Sequence, residues 1–250
     1  MLRILTYAMV LLLILCLNMS SVAEISEDTI VAAWLFDGDA KDMSVNGFDG
    51  EAQGGKYVEG QIGQAIELNG TNEWVNIPKR LGSFEEITFS LWVKCTGREN
   101  AWRVFYNVTG WKAGDIHYQL HDNNKVEFSI NGNPGGNDQF ANYAIVGDEL
   151  NKWVHIATAY SANEKKIRFF INGELDAESD WGGNPGVLDP GRIGDWGGSR
   201  QWQGLIDEFI IFNTVLSEDD INSVMNDGLE SGLAVDPKEK AAVTWGSLKQ

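Results

Sequence analysis

Cysteine is scarce in this chain. There are two, Cys16 and Cys95, and Cys16 falls in an N-terminal stretch with its own pattern. That stretch begins Met-Leu-Arg, runs apolar from Ile4 to Leu17, and reaches a small-x-small site at Ser21-Val22-Ala23. A positive start, a short apolar run and small residues read as a signal peptide cut after Ala23. The run is shorter than the ~20 residues a membrane span needs. Cys16 follows Leu-Ile-Leu, without the small residue a lipid-modified cysteine would want. Removing positions 1–23 leaves about 227 residues and Cys95 alone, which excludes an intrachain disulfide even in an oxidising compartment. The expected location is secreted or periplasmic/extracellular, with no membrane insertion after cleavage.

Basic residues are also few. Lys and Arg number 19 against 36 Asp and Glu, a formal net charge of −17. Such a chain is repelled by nucleic acid phosphates and anionic lipid surfaces, so both are excluded as partners. Histidines number three, His117, His121 and His155, and no cysteine or third close histidine completes a zinc set. There is no Gly-x-Ser-x-Gly elbow, no phosphate-binding loop with Lys-Ser/Thr, no internal repeat and no low-complexity run.

Period-two alternation fills the space left by these absences. Ile87, Phe89, Leu91 and Val93 alternate with Thr88, Ser90, Trp92 and Lys94; Ile167, Phe169 and Ile171 alternate with Lys166, Arg168 and Phe170. These predict half-buried strands. Further strands are expected at Thr29–Phe36, Gln64–Leu68, Glu73–Ile77, Arg103–Val108, His117–His121, Val126–Ile130, Asn142–Val146, Trp153–Tyr160, Arg192–Asp195 and Gln203–Phe212. Gly totals 28, and Asn172-Gly173 sits between two alternating runs, a strong hairpin signal. Many short strands with glycine-rich turns predict an all-β, two-sheet antiparallel jelly-roll sandwich. One helix is expected, from Ser217 to Asp227 and closed by Gly228, because Ser217 and Asp220 make an N-cap pair and Ile221, Val224 and Met225 fall at helical spacing. The expected organisation is a leader at 1–23, one domain at 24–230 and a tail at 231–250.

Three loops combine glycine, asparagine and aromatics: Asn131–Phe140, Asp180–Pro190 and Gly194–Trp202. Loops on a rigid sandwich are where binding function concentrates. Of ten tryptophans, Trp34, Trp92 and Trp153 lie in strands. Trp102, Trp111, Trp181, Trp196 and Trp202 lie in or beside loops, where indole faces suit sugar rings, with Asn137, Asp138, Asp195 and Arg200 as polar partners for hydroxyls.

Several stretches taken together resemble a known family. "VAAWLFDGDAKDMSVNGFDGEA", "GQIGQAIELNGTNEWVNIP", "EEITFSLWVK", "KWVHIATAYSANEKKIRFFINGEL" and "GRIGDWGGSRQWQGLIDEFIIFNTVLSEDDINSVM" are similar, in order and spacing, to laminin-G-like jelly rolls of the concanavalin A-like lectin/glucanase superfamily. The resemblance spans residues 29–228. It implies a jelly roll of about a dozen strands, often with a structural calcium near the first loop and last strand. Asp37, Asp39, Asp42 and Asn46 crowd the first loop, and Asp207 interrupts an apolar strand face. These five are the expected calcium ligands, as a buried carboxylate needs a partner and calcium takes six to eight oxygens.

The superfamily holds lectins, adhesion modules and glycosidases, so function stays open. The main expectation is a non-catalytic module binding a glycan or an extracellular or envelope protein, through Trp102, Trp111, Trp181, Asp195, Trp196, Arg200 and Trp202. One alternative is a glucan hydrolase. The segment "ELDAE" resembles the catalytic strand of laminarinase-type glucanases, with Glu174 and Glu178 as the carboxyl pair and Asp176 between them; a retaining mechanism needs its carboxyls ~5 Å apart. Ala177 departs from that pattern, and Asn172-Gly173-Glu174 also fits an ordinary hairpin turn. The other alternative is a structural protein–protein association module.

Overall fold

A computed structural model describes residues 25–97 and 99–232. The predicted leader and most of the predicted tail lie outside the described residues. The chain folds as two antiparallel sheets packed face to face, as the alternation predicts.

The first sheet runs in the order β14 (Glu174–Asp180), β13 (Lys166–Ile171), β12 (Trp153–Ser161), β7 (Glu86–Cys95), β17 (Gln203–Phe212), β4 (Gln64–Asn69) and β3 (Lys56–Glu59), with β1 (Ile30–Trp34) also pairing with β17. The second runs β11 (Asp138–Ala144), β10 (Lys125–Ile130), β9 (Ile116–Leu120), β8 (Arg103–Val108), β16 (Gly191–Ile193), β5 (Trp74–Ile77) and β2 (Glu51–Gln53). A small ribbon joins β6 (Gly82–Phe84) to β15 (Gly186–Leu188). The short strands β2, β3, β6 and β15 escape the sequence reading because three or four residues carry too little alternation to register. The strand expected at Asn142–Val146 begins earlier, at Asp138.

The hairpin signal at Asn172-Gly173 holds. Both residues are left-handed (φ 50° and 82°) and join β13 to β14, the turn whose twist matches the flanking strands. Between the sheets, Phe89 sits at the centre of the core, with the rings of Tyr118, Phe128 and Phe209 at 5.2, 5.6 and 6.2 Å. Trp34 is fully buried and donates from Nε1 to the Phe48 carbonyl (3.0 Å). It therefore joins the first loop to the core.

Helix α1 (Glu218–Gly232) lies on the outer face of the first sheet. Its start is the predicted one: the Ser217 hydroxyl donates to Asp220 Oδ2 (2.6 Å), and the Asp220 amide donates to Ser217 Oγ (3.2 Å). Gly228 breaks the helical geometry (φ 71°, ψ 175°), as its stop signal predicts, and a further turn follows it. Ile221, Val224 and Leu229 pack onto Ala157, Ala159, Phe170, Ile210 and Phe212, which project from the sheet's outer side. Strands β12 and β17 are therefore apolar on both faces.

Candidate functional site

The outer face of the second sheet is built differently. Side chains two apart on a strand share a face, and here the shared face is polar. Gln119 and His117 on β9 stand opposite Glu127 and Ser129 on β10. Asn107 on β8 stands opposite His117, and Asp138 on β11 opposite Ser129. Asn107, His117, Gln119, Glu127 and Ser129 are all buried although they point away from the core.

They are buried because an arc of planar groups covers them. Trp111 lies 4.5 Å from the His117 ring and 5.6 Å from the Trp196 ring. The Arg200 guanidinium stacks between Trp196 (4.7 Å) and Trp102 (4.3 Å). Trp102 then meets His121 (3.9 Å), which meets Phe140 (5.2 Å). The rings span the sheet from the β8–β9 loop to β11, and Trp111 keeps 58% of its surface exposed.

Local sequence explains how these groups are aimed. Trp196 and Ser199 close a tight turn through reciprocal backbone bonds of 2.9 and 3.1 Å, with Gly197 and Gly198 left-handed (φ 61° and 85°). Asp195 anchors the turn: it accepts from the Gly198 amide (3.0 Å) and from Arg192 Nη1 (2.5 Å). Arg200 follows with φ 55° and donates from Nη1 to Gln119 Oε1 (3.1 Å). Across the groove, Asp115 accepts the Lys112 amide (2.6 Å) and fixes the loop that carries Trp111.

The floor is a hydrogen-bonded lattice, as buried polar groups require. Asn107 Nδ2 donates to Gln119 Oε1 (3.3 Å), Gln119 Nε2 donates to Glu127 Oε1 (3.3 Å), and Ser129 Oγ donates to Asp138 (2.8 Å). Burial, reinforced by the Asp138 carboxylate, pushes Glu127 up to about 8, against the opposing pull of Gln119 and Arg200. Burial, with Arg200 nearby, holds His117 down to about 4. Both shifts favour the uncharged form.

The seven residues proposed from the sequence divide. Trp102, Trp111, Trp196 and Arg200 come together as the arc. Asp195 is fully buried and acts as the anchor of the turn beneath them. Trp181 and Trp202 belong instead to the core: Trp181 packs on Phe128 and Tyr160 and donates to the Gly136 carbonyl, and Trp202 packs on Phe105. Both follow glycine-rich or polar stretches, which suggest loop-surface residues, but each folds inward onto core rings. Asn137 caps its own turn by accepting the Gly132 amide (2.9 Å).

The floor residues Asn107, Gln119, Glu127 and Ser129 were missed. Their polar alternation marks an outward face, and alternation cannot distinguish open solvent from a roofed groove.

The five expected calcium ligands fall into two sets, Asp39, Asp42 and Asn46 on the first loop and Asp37 with Asp207 at the β3–β4 turn, where burial, helped by the Asp37 carboxylate, raises Asp207. Asp42 accepts the Ala33, Ser44 and Phe48 amides and the Ser44 hydroxyl. Asn46 donates to the Ile30 and Val31 carbonyls, and Asp39 pairs with Lys41. Asp42 and Asn46 hold the first loop against β1, and Asp39 caps a turn within the loop. Asp207 lies at a bulge in β17 and accepts the Gln61 and Ile62 amides (2.8 and 3.0 Å), while Asp37 accepts the Gln64 amide (2.6 Å), so both brace the β3–β4 turn. Burial pushes Asp207 up to about 6. Among the described residues, no group of three or more His, Cys, Asp or Glu side chains is placed to hold a metal ion.

The carboxyl pair of the glucanase alternative lies on β14, at the edge of the other sheet. Glu178 is held by Lys166 (3.0 Å) and Arg168 (2.7 Å). Asp176 accepts the Asn142 and Tyr143 amides and so joins β14 to β11.

With this geometry in view, the comparisons with known proteins are consistent. The family model of the concanavalin A-like lectin/glucanases superfamily matches residues 69–222, and the chain belongs to that superfamily. The fold is similar to domain 4 of AbnA, an extracellular GH43 arabinanase from Geobacillus stearothermophilus, in complex with arabinotriose (TM-score 0.62, 21% identity, 79% of this chain and 98% of that one). It is also similar to the binding domain of botulinum neurotoxin DC in complex with SialylT (TM-score 0.65, 15% identity, 81% and 52%). A third is the botulinum neurotoxin serotype D ligand-binding domain with N-acetylneuraminic acid (TM-score 0.61, 19% identity, 80% and 51%). The chain spans about half of each toxin domain. No curated protein sequence matches it. Among the described residues, no helix is long and apolar enough to cross a membrane.

Proposed function

We propose that this chain is an exported, non-catalytic carbohydrate-binding module that docks a glycan on the outer face of the second sheet. The observation that carries the reading is the polar floor of His117, Gln119, Glu127 and Ser129 beneath the arc of Trp111, Trp196, Arg200 and Trp102. A pyranose or furanose ring offers apolar C–H faces and a hydroxyl rim. Indole planes match the first, and buried amides, imidazole and carboxyl match the second. The sugar ligands of the arabinanase domain and of the toxin domains support the same class.

The non-catalytic part rests on Glu174 and Glu178 standing on the other sheet, with Glu178 already tied to two cations. Export rests on the leader pattern at 1–23. The association reading would call for a contiguous apolar surface. Among the described residues the exposed large apolar side chains are Met43, Val45, Trp111, Val146 and Leu175, and of these only Met43 and Val45 share a loop.

The test is calorimetric titration of the mature protein with a panel of soluble oligosaccharides, repeated with Trp111→Ala. Loss of at least tenfold in affinity, with the melting temperature within a few degrees of the parent, is expected. A glycan that binds parent and variant equally would remove the arc from the site.

A further inference from the structure

Three buried polar atoms on the floor have no hydrogen-bond partner in the protein: His117 Nδ1, Glu127 Oε2 and Asn131 Oδ1. Each belongs to a side chain that is at most 4% exposed. A buried polar group left unpaired is costly, so an unmet set in one layer marks a place where water or a ligand hydroxyl makes the bonds.

The polarity of each atom follows from its neighbours. Asn131 Nδ2 lies 3.2 Å from His117 Nε2 and can only donate, so Nε2 accepts and the imidazole proton sits on Nδ1. Gln119 Nε2 donates to Glu127 Oε1, which leaves the carboxyl proton to Oε2. The floor thus offers two donors and, at Asn131 Oδ1, one acceptor, with a further unpaired acceptor at Asp115 Oδ1 below the Trp111 loop. Hydroxyl groups satisfy both roles because each can donate and accept.

The surrounding charge is adverse to anions. Asp138 and Asp122 act on Glu127 from β11 and from the β9–β10 turn, and Asp115 is buried beside Gly110 below the Trp111 loop. Of the neighbouring cations, Arg192 and Lys112 are held by carboxylates, and Arg200 is stacked into the arc without one. Arg200 lies between two indoles and on Gln119, Arg192 is on Asp195 and Trp74, and Lys112 pairs with Asp189. The whole chain adds a net charge of −17.

We propose that this face selects uncharged, hydroxyl-rich glycans and rejects those carrying carboxylate or sulfate groups. The inference rests on the glycan-binding reading and narrows its ligand class.

The experiment compares acidic oligosaccharides with their carboxyl-reduced counterparts, which keep the skeleton and lose the charge. Oligogalacturonides and sialyl-lactose are the acidic probes, titrated calorimetrically beside neutral arabino-, xylo- and gluco-oligosaccharides. The expected result is binding of neutral or carboxyl-reduced members, with each matched acidic form at least tenfold weaker. Equal or tighter binding of an acidic form would overturn the charge selection and leave the glycan reading standing. Failure of every neutral and acidic probe would overturn the glycan reading and the selection with it.

Discussion

The two sheets of this sandwich turn opposite kinds of outer face to their surroundings. On the first sheet, Ala157, Ala159, Phe170, Ile210 and Phe212 lie under Ile221, Val224 and Leu229 of α1. On the second, Asn107, His117, Gln119, Glu127 and Ser129 lie under a roof of indoles and a guanidinium. Both faces are covered, but by different means. The first is closed chiefly by apolar burial, with a few polar groups beneath the helix: Ser90 bonds His155, Trp92 donates to the Met225 carbonyl, and His155 Nδ1 is unpaired. The second is closed by flat, partly exposed groups over hydrogen-bonding groups, three of whose atoms remain unpaired. A fold that needed only stability would have no use for the second arrangement, because an apolar floor would avoid the unmet groups. The contrast is the ground for proposing recognition on the second face and a structural load on the first.

The strongest way to break this division is a truncation under the helix. Phe212→Ala removes a fully buried ring and is expected to cost about 3–5 kcal/mol in denaturant unfolding, with glycan affinity unchanged in the protein that remains folded. A parallel loss of affinity would couple the two faces and contradict the division. Next in size is the tenfold loss, about 1.4 kcal/mol, expected for Trp111→Ala with little change in stability.

The smallest effect is a pH signature that sharpens the comparison. Glu127 is raised when folded, so its contribution is fully present below pH 4.5, its ordinary value, and is lost as pH rises through about 8. Glu127→Gln should therefore raise the melting temperature relative to the parent at pH 9 and not at pH 4. His155, under α1, is held down to about 3 by burial alone, and His117 down to about 4. Their contributions have the opposite sense, present above pH 6.5 and lost as pH falls toward those values. An alkaline gain absent from Glu127→Gln would mean that the carboxyl is not buried as described.

Much of this was legible in the sequence, for identifiable reasons. Alternation over five or more residues placed β7, β12, β13 and β17, and the Ser217–Asp220 pair with Gly228 bounded α1. The Gly197-Gly198 turn and its flanking Trp196 and Arg200 were visible as a candidate surface. The inward turn of Trp181 and Trp202 was not visible, since composition shows a loop and not the side of it that faces the core. The first-loop acids read as metal ligands because caps and ligands draw on the same residue types, and the backbone amides that Asp42 accepts show its capping role. Glu127 was hidden most completely. A glutamate in an alternating strand reads as a solvated residue until the ring above it is known.

The most direct test of the central claim is amide hydrogen exchange with and without a saturating neutral oligosaccharide. Added protection is expected in 107–111, 116–121, 125–131 and 195–202, with none in 157–171 or 210–229. Protection confined to the helix-covered face, or to the edge around β14, would contradict the assignment of recognition to the second sheet.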